Sequence, residues 1–147
     1  MEIGFKKLHE KAVIPSYAYP GDAAVDLVAA WLKPDFHNGY TTYGTGIALE
    51  IPEGYAGFIY MRSSVSNKNQ VLTNAVGVVD SGFRGEIMFR FKPTASGAGR
   101  YEVGDKLGQL VIMPVPKLEF IEKEVLSETV RGTGGYGSSG EKSNTQT

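Results

Sequence analysis

Short apolar runs with period two, each closed by turn-forming residues, restrict the fold of this chain more than any other feature. Ile47, Leu49 and Ile51 recur at alternate positions, and residues 87–91 repeat that spacing. Such alternation predicts strands with one buried face. Because 19 glycines and 7 prolines interrupt the 147 residues, long helices are disfavoured. We therefore predict an all-β fold, a jelly-roll-like barrel or sandwich of short strands.

Other apolar runs lie between glycine, proline, aspartate or asparagine turn signals and predict further strands. These runs span residues 24–30, 55–61, 75–79, 107–113 and 118–126. The segment 64–70 has instead the pattern of one or two helical turns. A chain of this length holds at most one domain.

Charge and composition exclude several classes of function. The 15 basic and 16 acidic residues nearly balance, which argues against a basic face for duplex nucleic acid or for a membrane surface. The chain has no cysteine, so disulfides, thiolate zinc sites and cysteine nucleophiles are excluded. No run approaches the roughly 20 apolar residues of a membrane span, and the N-terminus lacks the apolar core of a signal peptide. We expect a cytoplasmic protein, or one in the host cytoplasm if the chain is viral.

The composition changes abruptly after Val130. From residue 132 to residue 147 the one apolar residue is Tyr136, in a segment rich in glycine and serine. Such a segment cannot bury enough surface to offset the entropy of ordering it. We predict a folded domain over residues 1–131 and a mobile glycine-rich arm over residues 132–147. A plain disordered tail is the usual meaning of such ends, whereas Arg131 before an aromatic ring and two hydroxyls suits an arm that closes over an anion.

Polar residues within or beside apolar strands are the candidates for chemistry. Asp26 lies inside an apolar strand, where a carboxylate is costly unless it is paired or hydrates a metal. Spacing favours an arginine partner and a metal role equally. Asp80 follows an apolar strand at a turn, and we expect a second strand from Gly85 to complete a hairpin that presents the carboxylate beside Phe83. Asp-x-Gly turns also occur for conformational reasons alone. Gln109, in an apolar run, requires hydrogen-bond partners.

A further candidate ends the strand 55–61. Arg62, Ser63 and Ser64 offer a guanidinium, hydroxyls and helix N-terminal amides to an anion. The alternative is an ordinary serine N-cap beside a surface arginine.

Five segments resemble, in order and with compatible spacing, the five motifs of the homotrimeric dUTPase family, the deoxyuridine 5′-triphosphate nucleotidohydrolases. They are residues 24–27 (AVDL), 62–64 (RSS), 77–87 (GVVDSGFRGEI), 104–110 (GDKLGQL) and 131–140 (RGTGGYGSSG). The resemblance covers residues 20–140. It implies a jelly-roll homotrimer whose three active sites are shared between subunits, the arm of one subunit closing a site built by the other two. The implied reaction converts dUTP and water to dUMP and pyrophosphate, with Mg²⁺ on the triphosphate.

The resemblance also implies a role for each residue of the site. Asp80 would orient and deprotonate the water that attacks the α-phosphorus, and Asp26 would hold water molecules on Mg²⁺. Contacts to the phosphates would come from Arg62, Ser63, Ser64, Gln109, Arg131, Gly137, Ser138 and Ser139.

The nucleoside would be selected by the third motif and the arm. Asn74 and backbone groups after Gly77 would hydrogen-bond uracil, and Phe83 would stack under the deoxyribose. Tyr136 would cover the face of the base.

Four positions depart from the family pattern. Phe83 stands where tyrosine is usual and loses its hydroxyl, and Ser64 stands where glycine is usual. Tyr136 replaces phenylalanine or histidine, which is compatible with stacking. Gly108 replaces a common alanine, a change that we expect to matter little.

Three alternatives to an active dUTPase remain open at this point. A dCTP deaminase resembles dUTPases in fold. A binding or regulatory protein could use the same scaffold, with a protein partner that the sequence does not encode visibly. A structural jelly roll with a tail would leave the polar candidates unexplained.

Overall fold

The computed structural model describes residues 1–138 and contains, within them, ten strands and one 3₁₀ helix. The chain forms two compact units, Met1–Lys117 and Leu118–Thr147, which are described separately. The strands are β1 (Gly4–Lys7), β2 (Val25–Val28), β3 (Trp31–Asp35), β4 (Tyr40–Gly44), β5 (Ile47–Glu50), β6 (Tyr55–Met61), β7 (Gln70–Leu72), β8 (Gly77–Val79), β9 (Met88–Pro93) and β10 (Lys106–Pro114), and the 3₁₀ helix is Ser63–Lys68.

The strands of the first unit form three antiparallel sheets. One four-stranded sheet has the order β2-β10-β6-β8, the other has the order β3-β4-β9-β7, and β1 pairs with β5. The all-β fold class is therefore confirmed. In residues 1–138 no helix is both long and apolar enough to cross a membrane.

Most strands coincide with the predicted runs. Strand β6 matches residues 55–61 at both ends, and the helical turns predicted at 64–70 are the 3₁₀ helix. The predicted strand 118–126 is wrong, because the second unit has no strand within its described residues. The alternation of apolar residues in this segment favours a strand, but a strand also needs a partner for its backbone hydrogen bonds.

The hairpin predicted around Asp80 is also wrong. Strand β8 pairs with β6, whereas β9 pairs with β4 and β7 in the other sheet. The segment between them is therefore a crossover from one sheet to the other. The turn predicted at Asp80 is confirmed, since the Phe83 amide donates to the Asp80 carbonyl over 3.0 Å.

Aromatic residues fill the core. Tyr43, Phe89, Phe91 and Tyr101 are all buried. The ring of Tyr43 meets those of Phe91 and Tyr101 edge-on, with centroids 5.9 and 5.8 Å apart, a favoured geometry for aromatic pairs. Burial raises the pKa of the Tyr43 and Tyr101 hydroxyls, so both side chains remain neutral in the core.

Gly108 has a structural role that the sequence analysis did not predict. A Cβ atom at this position would collide with the ring of Phe89 and lie 2.5 Å from the backbone oxygen of Tyr60. Here the Phe89 ring occupies the space that an alanine methyl would need. The expectation that glycine matters little at this position was therefore wrong.

Gly108→Ala should lower the free energy of unfolding by about 1–3 kcal/mol, the usual cost of overpacking a core. Urea denaturation would measure the change. Gly82→Ala is the matched control, because a Cβ there meets nothing within 4 Å and its stability should stay within about 0.5 kcal/mol of the parent. Equal stability of the parent and Gly108→Ala would show that Phe89 moves aside without cost.

Candidate active site

A pocket of about 340 Å³ beside β8 brings together four of the predicted site residues. Asn74, Gly77, Asp80 and Phe83 all line it. Asn74 and Asp80 are exposed in this chain, and the side chain of Phe83 is 44 % exposed. The pocket thus offers an amide, a carboxylate and an aromatic wall to one ligand.

The turn that carries Asp80 and Phe83 is held by hydrogen bonds from the side chain of Arg84. Nη1 of Arg84 donates to the carbonyls of Ser81 and Phe83 over 2.6 and 3.0 Å. A Cβ at position 85 would lie 2.5 Å from Cζ of Phe83, so Gly85 is needed for the ring to lie where it does.

Strand β8, which precedes this turn, also lies very close to its neighbouring side chains. A Cβ at Gly77 would collide with the side chain of Ile59 and lie 3.2 Å from Nδ2 of Asn74. Ala75 adopts a φ of 54°, the left-handed conformation that is costly for a residue with a side chain. The residues packed around this turn therefore hold the backbone conformation that presents Asn74.

A second group of site residues surrounds Asp26. The Asp26 side chain is only 6 % exposed, and its Oδ2 lies 2.7 Å from Nζ of Lys106. Its Oδ1 lies 3.3 Å from Nε of Arg62. Gln109 is opposite Asp26 in the antiparallel register of β10 and β2. The arginine partner that the sequence left open for Asp26 is present, with a lysine beside it.

Lys106 was missed by the sequence analysis. Residues three apart in a regular strand point to opposite faces, so Lys106 and Gln109 were not expected together. A register shift between Lys106 and Gly108 inserts one extra residue in β10. Lys106 is consequently paired with Val28 while Gln109 is paired with Asp26, which places both on one face of the sheet.

The two serines lie at the start of the 3₁₀ helix. Ser63 and Ser64 are exposed there. The N-cap residue is Arg62, which makes no side-chain capping hydrogen bond. The alternative of an ordinary serine N-cap is thus wrong.

Sheet order explains why these segments meet. Strands β2, β10, β6 and β8 are neighbours in that order, and they carry or precede Asp26, Gln109, Arg62 and Gly77. Yet Asp26, Arg62 and Gln109 do not line the pocket that contains Asp80. The first unit therefore presents the Asp80 pocket and a separate cationic group, formed by Arg62 and Lys106 around Asp26.

The surroundings of Asp26 fit a metal held through water. Residues 1–138 contain no group of three or more histidine, aspartate or glutamate side chains that could hold a metal directly. Oδ1 of Asp26 is buried and finds no hydrogen-bond partner among the described residues. Mg²⁺ usually keeps several waters and uses one or two carboxylates, so Asp26 is the carboxylate that would hold such an ion, although its Oδ1 faces Nε of Arg62 at 3.3 Å.

The predicted arm residues belong to the second unit. Nε of Arg131 donates to the Gly134 carbonyl over 2.9 Å, and the Ser138 amide donates to the Gly135 carbonyl over 3.1 Å. Tyr136 has an exposed ring and a φ of 43°, and Gly137 has a φ of 91°. Ser139 lies outside the described residues.

Comparison with known proteins identifies the relatives of this chain. The model of the dUTPase family matches residues 10–140. A deoxyuridine 5′-triphosphate nucleotidohydrolase of Leifsonia xyli is 42 % identical over 132 residues, which is 86 % of this chain and 85 % of that protein.

Solved structures of phage enzymes share the fold. The dUTPase of Staphylococcus bacteriophage 80alpha with dUpNHpp has a TM-score of 0.83 and 27 % identity, and the match covers 95 % of this chain and 98 % of the other. That protein is described as controlling transfer of virulence genes by a proto-oncogenic G protein-like mechanism. A mutant dUTPase from phage phi11 of S. aureus, with a structural Mg(II) ion, has a TM-score of 0.71 and 26 % identity, over 85 % of this chain and 98 % of that one.

Asp26→Asn should lower the free energy of unfolding by about 2 kcal/mol, because it removes the anion of a largely buried ion-pair group and leaves Lys106 and Arg62 facing each other. Urea denaturation at low ionic strength would measure the loss. Glu53→Gln breaks the Lys117–Glu53 pair, whose side chains are 86 % and 79 % exposed, and should change stability by no more than about 0.5 kcal/mol. Equal effects of the two substitutions would contradict a stabilising role for the buried group.

Proposed function

Because this chain belongs to the dUTPase family and is a dUTP diphosphatase, we propose that the pocket around Asp80 holds the nucleoside of dUTP. In this pocket Asp80 would direct water to the α-phosphorus, and the products would be dUMP and pyrophosphate. The observation that carries the proposal is the convergence of Asn74, Asp80 and Phe83 on one pocket in a chain matched over residues 10–140. The match to dUTPases favours hydrolysis over deamination of dCTP.

The pocket suits selection of deoxyuridine. We assign uracil recognition to Asn74 and the backbone after Gly77. Cytosine presents different donors and acceptors, so it would not match their hydrogen bonds. A site built from committed polar groups can discriminate by about 10⁴–10⁵. Phe83 would form the wall under the deoxyribose and exclude a 2′-hydroxyl. The close approach of β8 to Ile59, shown by the lack of room for a Cβ at Gly77, would also leave little room for the thymine methyl.

The cationic group would take the triphosphate. Arg62, Ser63, Ser64 and Gln109 would contact phosphate oxygens, positioning and stabilising the charge that phosphoryl chemistry requires. Mg²⁺ bound to the triphosphate would neutralise charge on the leaving pyrophosphate. Asp26, whose Oδ1 makes no hydrogen bond to the described residues, would hold that ion through water.

Completion of the site would require other subunits. Because the Asp80 pocket is not lined by Asp26, Arg62 or Gln109, we propose a homotrimer in which the pocket of one subunit faces the phosphate group of a second. The arm of the third subunit would then close the site. Its contacts would be made by Arg131, Tyr136, Gly137, Ser138 and Ser139.

In the cell this reaction would lower dUTP and supply dUMP for thymidylate synthesis, in the cytoplasm of the organism or of a host. A second, regulatory function is favoured by the relative from phage 80alpha, which is described as controlling gene transfer. It would require a protein partner whose binding depends on nucleotide. Loss of that partner on addition of dUpNHpp would distinguish such a role from catalysis alone.

Asp80→Asn should reduce pyrophosphate release from dUTP by roughly 10²–10⁴-fold, because it removes the base that activates water. Binding of dUpNHpp, measured by calorimetry, should remain within a few-fold of the parent. Asp35→Asn removes another carboxylate, which lies outside the pocket, and should leave turnover unchanged. Turnover by Asp80→Asn equal to that of the parent would refute the assignment.

Deletion of residues 132–147 tests the arm. The β-strands all end before residue 118 in the described chain, so far-UV circular dichroism and sedimentation should match the full-length protein. Turnover should fall by roughly tenfold or more, because the site stays open to water. Truncation after residue 140 keeps every predicted arm contact and serves as the control. Full activity without residues 132–147 would exclude a lid.

A further inference from the structure

The carboxylate of Glu86 connects the wall of the Asp80 pocket to a distant part of the first unit. Its Oε1 accepts hydrogen bonds from Nε1 of Trp31 over 2.8 Å and from the Gly46 amide over 2.7 Å. Glu86 also lines the pocket that contains Asp80. One oxygen atom therefore ties β3 and the turn between β4 and β5 to the end of the crossover that carries the predicted site residues.

Two glycines leave the room that these hydrogen bonds need. A Cβ at Gly44 would collide with the ring of Trp31 and with Oε1 of Glu86, so a side chain cannot be placed where donor and acceptor meet. Gly46 has a φ of 65°, a left-handed conformation that is strained for a residue with a side chain. A Cβ there would also lie 2.7 Å from Cβ of His9. The backbone around Glu86 is thus fitted to its carboxylate.

The hydrogen bonds of Glu86 are made to neutral groups. The carboxylate is half-buried, and it forms no ion pair within the described residues. Bonds in which the acceptor is ionised are stronger than bonds between neutral groups. Loss of the acceptor would leave the buried Gly46 amide without its side-chain partner, which is costly. Glu86 therefore differs from a free surface carboxylate.

Glu86 lies one residue beyond the contact that supports Phe83. The Phe83 ring lies against Gly85, where a Cβ would be 2.5 Å from Cζ of the ring. The Ile87 amide donates to the Ile47 carbonyl over 2.9 Å, which fixes the chain after Glu86 at one point. The side chain of Glu86 adds a second fixed point and prevents rotation about the first. A shift of Glu86 would move Gly85, and with it the surface on which the ring rests.

We propose that Glu86 is a positioning residue that holds the Phe83 ring where a deoxyribose fits and a ribose does not. The proposal rests on the role of sugar wall given to Phe83 above. It assigns the effect to the two hydrogen bonds that Oε1 accepts. An amide oxygen in the same place could accept them as well, so the negative charge of Glu86 is not required.

The experiment compares kcat/KM for dUTP with kcat/KM for UTP in the full-length protein. Glu86→Ala removes the acceptor, Glu86→Gln keeps a side-chain oxygen without the charge, and Trp31→Phe removes one of the two donors. Glu10→Gln is the matched control for net charge, because Glu10 is exposed and lies outside the pocket. Circular dichroism identifies a temperature at which every variant is folded.

Glu86→Ala should lower the preference for dUTP over UTP by roughly tenfold, because a displaced ring no longer excludes the 2′-hydroxyl. Trp31→Phe should lower it by roughly threefold or more, since one bond of the pair remains. Glu86→Gln and Glu10→Gln should stay within about twofold of the parent, because both hydrogen bonds can still form. Loss of stability alone would not change this preference, since the fraction of folded enzyme cancels in the ratio.

An unchanged ratio in Glu86→Ala would overturn the proposal. Equal losses in Glu86→Gln and Glu86→Ala would overturn it too, because the charge would then be what matters. If Glu86→Ala does not fold, Trp31→Phe replaces it, and a ratio equal to that of the parent contradicts the proposal.

The parent protein separates this proposal from the function on which it rests. A parent that hydrolyses dUTP and UTP equally well would refute the role of Phe83 as sugar wall, and the role of Glu86 with it. A parent that releases no pyrophosphate from dUTP would refute the proposed function itself. A parent that prefers dUTP, beside a Glu86→Ala variant with the same preference, would refute the positioning role alone.

Discussion

The antiparallel pairing of β10 with its two neighbours is the constraint on which both fold and site depend. Strand β10 pairs with β6 over residues 108–114 and with β2 over residues 106–110. At Gly108 it approaches the backbone of Tyr60 and the ring of Phe89 so closely that a side chain does not fit. The next residue, Gln109, is therefore placed by packing against the core, and its position opposite Asp26 follows from the same register.

The alternation of apolar residues predicted the strands well where a short stretch of sequence is enough to define the strand, as in β6. It failed where the outcome depends on a partner. The segment 118–126 has the alternation of a strand, but nothing in its sequence specifies which strand would pair with it. Likewise Asp80 was correctly placed at a turn, yet the path after that turn was set by the pairing of β9 with β4 and β7, contacts that lie far away in the chain.

The fold class was predicted correctly, whereas the roles of the site residues rest on the motifs, which fix residue types as well as order, and stay predictions. The meeting of Asp80 with Phe83 and of Asp26 with Arg62 agrees with that reading. Lys106 was hidden by a bulge, since one inserted residue changes the face of every side chain on one side of it. Bulges leave no simple signal in the sequence. In a structure, an unexpected contact between a lysine and a buried aspartate is a reason to look for one.

The loss of a tyrosine hydroxyl at Phe83 can be weighed against what holds the ring. Its position is fixed by the turn hydrogen bond to Asp80, by Arg84 clamping the neighbouring carbonyls, and by the absence of a side chain at position 85. None of these depends on a hydroxyl. In the proposed site a 2′-hydroxyl would be rejected by contact with the ring itself, and that steric exclusion would not require the tyrosine hydroxyl. If Phe83 forms the wall under the deoxyribose, as proposed, selectivity for the deoxy sugar would therefore depend more on Gly85 than on the atom that distinguishes phenylalanine from tyrosine.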